Sequence, residues 1–154
     1  MIKQRIYLSG LLSIILCFAS CEDCYYVEND LHGLWQVTSV ERFSTGEITE
    51  AQGELYYSFQ RTMVMLSDVD LDVPNKLKRY IAHFDLLASD SIGMGDFRKR
   101  TTGEGDFVHQ ETKIPLELLH KFGFYQDYTT FHMERLKQKL ILTSDSACIV
   151  LRKY

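Results

Sequence analysis

Leu55, Tyr57 and Phe59 are large and apolar, while Glu54, Ser58 and Gln60 around them are polar. This every-second-residue alternation marks a strand with one face on a core and the other in water. It recurs along the chain. Tyr80, Ala82, Phe84 and Leu86 alternate with Ile81, His83 and Asp85, and Phe131 and Met133 share one face of a strand over 129–136. Further short apolar runs read as strands at 34–43, 62–66, 90–95, 140–142 and 147–152. Between them lie turn-forming stretches at 44–47, 67–78 (with Pro74), 126–128 and 143–146. One helix is predicted near 115–122: Pro115 suits its first position, Leu116, Leu119 and Phe122 lie on one side, and Gly123 suits its stop. At about two turns it must pack on the sheet to persist. Eight or nine short strands with one short helix give a mainly all-β chain, folded as an antiparallel barrel or a sandwich. A closed barrel leaves no strand edge exposed.

With 154 residues the chain fits one domain, and 45% hydrophobic content supplies a core. The net charge is −4; without Lys3 and Arg5, the charged residues of the first twenty positions, the remainder carries −6. An acidic body is a poor nucleic-acid binder, because affinity there comes mainly from neutralising phosphates. The same excess argues against adhesion to anionic lipid head groups.

Residues 1–20 read as an address label. Lys3 and Arg5 precede a charge-free run from Ile6 to Ser20, too short for the ~20 apolar residues of a membrane helix. The run ends Phe18-Ala19-Ser20-Cys21. Small residues before a cysteine resemble a bacterial lipoprotein signal, in which Cys21 is lipidated and becomes the mature N-terminus; an ordinary cleavage site after Ala19 or Ser20 is the alternative. Glu22 and Asp23 resemble the surface-export signal of some Gram-negative lipoproteins, which implies the outer membrane with its surface side as one face; solvating charges in a linker are the alternative. Residues 21–30 are expected to be a linker, and residues 31–154 the barrel domain. Cys24 and Cys148 remain as a candidate disulfide, although Cys148 shares parity with Val150 and Arg152, which this reading turns inward.

Gly33-Leu34-Trp35 resembles the Gly-x-Trp motif that opens the first strand of lipocalins. The resemblance implies that Trp35 plugs the closed end of a barrel, with an arginine of the last strand, here Arg152, across its ring. Tyr56-Tyr57-Ser58-Phe59-Gln60, Pro115 to Leu119 with Phe122-Gly123, and the closing Leu151-Arg152-Lys153-Tyr154 are similar to lipocalin-like lipoproteins of Gram-negative bacteria. The resemblance covers most of residues 31–154. It implies a barrel whose plug lies near the anchor and whose mouth faces away from the membrane.

Catalytic and metal-binding patterns are sparse. His32, His83, His109, His120 and His132 have no zinc-like spacing. Asp68-Val69-Asp70-Leu71-Asp72 begins like a calcium loop but lacks its glycine and final glutamate. No nucleophile elbow or phosphate loop occurs, and Cys148 is expected to be buried and inert. The two Gly-x-Gly-Asp-Phe-like echoes flanking Arg98–Thr102 read as a hairpin with a basic tip. No cofactor and no enzyme activity are expected. The candidate site is the inward row of Tyr57, Phe59, Phe84, Phe131 and Met133, lining a cavity for a small apolar or amphipathic ligand. The competing expectation is a barrel that its own side chains fill, serving as a structural or protein-interaction module.

Overall fold

The alternating segments form antiparallel strands that close on themselves. The computed structural model describes residues 31–70, 77–99 and 112–154. Its strands are β1 (Gly33–Arg42), β2 (Glu47–Glu50), β3 (Leu55–Gln60), β4 (Met63–Val69), β5 (Leu77–Ala88), β6 (Ser91–Gly95), β7 (Arg98–Lys99), β8 (Thr112–Lys113), β9 (Tyr128–Leu136), β10 (Lys139–Thr143) and β11 (Ala147–Lys153). Eight of them form a closed barrel in the cyclic order β1-β3-β4-β5-β6-β9-β10-β11, and β2, β7 and β8 are additions. Each barrel strand pairs with the next in the chain, and β1 meets β11 to seal the ring. An eight-stranded barrel has room inside for side chains or for one small ligand.

Inward positions follow the period of two. Trp35 and Val37 point in from β1; a bulge between Val37 and Ser39 then resets the phase so that Val40 is also buried. Leu55, Tyr57 and Phe59 on β3, Val64 and Leu66 on β4, and Tyr80, Ala82 and Phe84 on β5 continue the lining. Leu86, expected on that same face, reaches past the rim and is exposed.

Four expectations are revised. The helix is a 3₁₀ segment, Leu116–Phe122, with Pro115 as its N-cap rather than its first helical residue; seven residues are too few to propagate an isolated α-helix. Arg98 and Lys99 do not sit at a hairpin tip. Asp96, at φ 52, turns the chain out of β6, and they then pair with β5 and β8. The rest of that hairpin lies outside the described residues. On β11 the inward residues are Ala147, Ile149 and Leu151, so Cys148, Val150 and Arg152 face outward. Cys148 is accordingly half-buried on the outer wall, a free thiol beside Thr143, and not a core residue. Cys24, its candidate partner, lies outside the described residues, as do Cys21 and the signal. Among the described residues no helix is long and apolar enough to cross a membrane.

Candidate functional site

The two ends of the barrel are closed differently. At the end where β1 begins, Trp35 is 3% exposed and its indole N–H donates to the Leu31 carbonyl oxygen at 2.8 Å. Gly33 lies at φ 123, a backbone conformation strained for any side chain. The cation over the indole is Lys153, with Nζ 5.4 Å from the ring centroid. Arg152 is displaced from the role assigned to it by one residue. The β1–β11 register sets Trp35 opposite Lys153 and Gln36 opposite Arg152, and the Arg152 guanidinium donates to Gln36 Oε1 at 2.7 Å on the outer surface. Cysteine and valine on one face of β11 and isoleucine and leucine on the other left the strand's parity unreadable from hydrophobicity alone.

Inside, the structure brings all five ligand-lining candidates together. Tyr57, Phe59, Phe84, Phe131 and Met133 are buried and belong to one apolar cluster. Phe59 stacks on Tyr57 at 6.0 Å and meets Phe84 edge-on at 5.6 Å.

The mouth, at the opposite end, contains residues that the alternation pattern does not reveal. The segment from Ile114 to Phe124 crosses it and sends Phe122 and Phe124 inward, both fully buried. Phe124 lies 4.8 Å from Phe97, 5.3 Å from Phe131 and 6.3 Å from Tyr57. Phe122 packs edge-on against Tyr57 and Tyr80. The local cause is Gly123, left-handed at φ 84, whose N–H donates to the His120 carbonyl oxygen at 2.9 Å. That conformation ends the helix and lets both phenylalanines face the barrel. The triplet Phe122-Gly123-Phe124 was the available sequence signal; strand alternation alone found neither partner.

Polar contacts tie this segment to the barrel. The Tyr57 hydroxyl donates to the Phe122 carbonyl oxygen, and burial pushes the phenol's pKa well above its ordinary 10.0. Lys121 forms an ion pair with Asp68 on β4, and the Arg42 guanidinium sits 4.7 Å from the ring centroid of Tyr125. Near the same end Thr129 is 7% exposed, and its hydroxyl has no hydrogen-bond partner among the described residues. A buried, unsatisfied hydroxyl costs about 1–3 kcal/mol. Among the described residues no group of histidine, cysteine, aspartate and glutamate could hold a metal ion. Among the described residues the chemistry on offer is therefore apolar enclosure with the hydroxyl groups of Tyr57, Tyr80 and Thr129.

A family model described as a lipocalin-like domain matches residues 16–154. Among solved structures, a lipocalin-like protein from Bacteroides uniformis superposes with a TM-score of 0.56 at 19% identity, covering 82% of this chain and 100% of that one. An uncharacterized protein from Bacteroides eggerthii gives 0.58 at 17% identity, covering 81% of this chain and 100% of that one. No curated protein sequence matches the chain. The family match spans nearly the whole length, and a sealed eight-stranded meander with its first-strand tryptophan at one end accompanies it: this chain belongs to the lipocalin-like domain family.

Proposed function

We propose that this protein is a lipid-anchored envelope protein that holds a small apolar or amphipathic molecule inside its barrel. Residues 1–20 direct export, Cys21 carries the lipid at the outer membrane, and residues 21–30 tether the barrel. The observation that carries the binding reading is the origin of the side chains at the barrel's centre. Phe122 ends a short 3₁₀ segment across the mouth and Phe124 follows its Gly123 cap, so neither comes from the wall. Withdrawing that segment would empty the space beside Tyr57 and Phe131 while leaving every barrel pairing intact. The ligand would take the place of the two phenyl rings, its apolar body against Phe59, Phe84 and Met133 and its polar group on the hydroxyls of Tyr57 and Thr129. A lipocalin-like fold suggests such a binding barrel, and the family is generally non-enzymatic.

The ring contacts of Phe124 also support a second reading, a permanently filled barrel that docks protein partners through its outer face. Native mass spectrometry of the protein purified from its own host separates the two. Excess mass released by denaturation supports the binding barrel. Bare protein, together with no uptake of a fluorescent fatty-acid analogue, supports the filled one.

A further inference from the structure

The net negative charge conceals an asymmetry between the barrel's two ends. Hairpins β3–β4, β5–β6 and β9–β10 all turn at the Trp35 end, where β11 also finishes. Their tips expose Met63, Leu86, Leu87 (54%) and Leu136, joined by Tyr154 (76%) at the C-terminus. Exposed around them are Arg61, Lys137, Lys139 and Lys153, with Arg135 and Arg152 just behind. Among the described residues the acids at this end are Asp85, Asp90 and Glu134. Asp90 lies 3.5 Å from His132, and Asp85 accepts from the Tyr128 hydroxyl at 3.3 Å. The mouth end also exposes apolar residues, Phe43, Ile48 and Leu118 among them, but its cations are offset: Arg98, Lys113 and Lys121 pair with Asp96, Asp127 and Asp68, and Arg42, Lys78, Arg79 and Lys99 share that end with Glu47, Glu50, Glu117 and Asp145. Apolar exposure therefore does not distinguish the ends; charge does.

We propose that the Trp35 end is a membrane-docking face that rests on anionic lipid, its hairpin tips among the head groups and its mouth turned away. Leucines flanked by lysines suit an interface, since the apolar parts enter the acyl boundary while the ammonium groups stay at head-group level. Each cation near an anionic surface contributes about fivefold to binding. The described chain also begins at this end, with Leu31 leading into β1. From there Cys21 lies within about 35 Å along the chain. The face does not require acylation of Cys21, although a tether would raise its effective concentration at the bilayer.

The test uses the full chain as its host processes it, reconstituted in phosphatidylethanolamine vesicles with or without phosphatidylglycerol. Leu136→Trp and Leu118→Trp place a reporter at each end, against a constant background from buried Trp35. With phosphatidylglycerol present, Leu136→Trp should shift to the blue and be quenched by brominated lipid, whereas Leu118→Trp should not. Adding Lys137→Glu and Lys139→Glu should weaken docking at least about twenty-fivefold, from two cations lost. Equal quenching at both ends, none at Leu136→Trp, quenching there only in native membranes, or indifference to the charge reversals would overturn the proposal. The mass of the N-terminal peptide, taken on the same samples, reads acylation separately.

Discussion

Replacing Phe124 with alanine probes whether the mouth segment is core or merely covering. The ring is fully buried and touches Phe97, Phe131 and Tyr57. Phe→Ala in a packed core costs about 3–5 kcal/mol, covering lost transfer energy and the cavity left behind. The upper half of that range applies here, because a closed ring of hydrogen-bonded strands collapses poorly onto a void. Urea unfolding followed by Trp35 fluorescence supplies the assay, as the single tryptophan is buried in the folded state. With a slope of about 2 kcal/mol/M, the midpoint should fall by about 2–2.5 M with the slope unchanged. The variant should also gain affinity for small apolar probes, as dry apolar cavities do. A loss below about 0.5 kcal/mol, the range of ordinary surface substitutions, would refute the placement of Phe124 inside the barrel.

Three further outcomes follow from the same geometry. Lys153→Ala should destabilise by about 0.5–1 kcal/mol and alter Trp35 emission, through loss of a solvent-exposed cation–ring contact, whereas Arg152→Ala should stay within about 0.5 kcal/mol and leave that emission unchanged; paired denaturation curves and emission spectra decide which cation covers the indole. Gly123→Ala should cost about 2–5 kcal/mol by thermal or urea unfolding, since φ is 84 and a Cβ would lie 2.6 Å from Ile149 side-chain carbons. Tyr57 holds its proton in the folded state above the 10.0 of a free phenol, so its contribution to stability is complete below that pH and is lost as pH rises toward the folded-state value. Tyr57→Phe should therefore cost about 1 kcal/mol at pH 7 yet flatten the alkaline decline, read as unfolding midpoints from pH 8 to 11.

The barrel was legible because its strands are half-wet: Tyr57 and Phe59 alternate with polar neighbours, and period two survives the folding of the sheet. Legibility ended where both strand faces are apolar. Cys148 to Leu151 carry no parity signal, so the register with Trp35, which selects Lys153 over Arg152, had to come from pairing with β1. Phe124 was hidden for another reason. Its burial depends on a left-handed glycine and on how a loop crosses the mouth, a tertiary relation that no local period encodes. Charge behaved likewise: a net −4 argued against anionic lipid, but the topology gathers Lys137, Lys139 and Lys153 at one end, and an average cannot express a gradient.

Amide hydrogen exchange at Gly123 and Phe124 bears most directly on whether the mouth segment is separable from the barrel wall. Their N–H groups donate to His120 and Leu119 carbonyl oxygens. The binding account predicts opening there at a free energy well below that of the β1–β11 ladder, and slower exchange once a ligand fills the barrel. Protection equal to that of the ladder, released only on global unfolding and unchanged by any apolar probe, would contradict it.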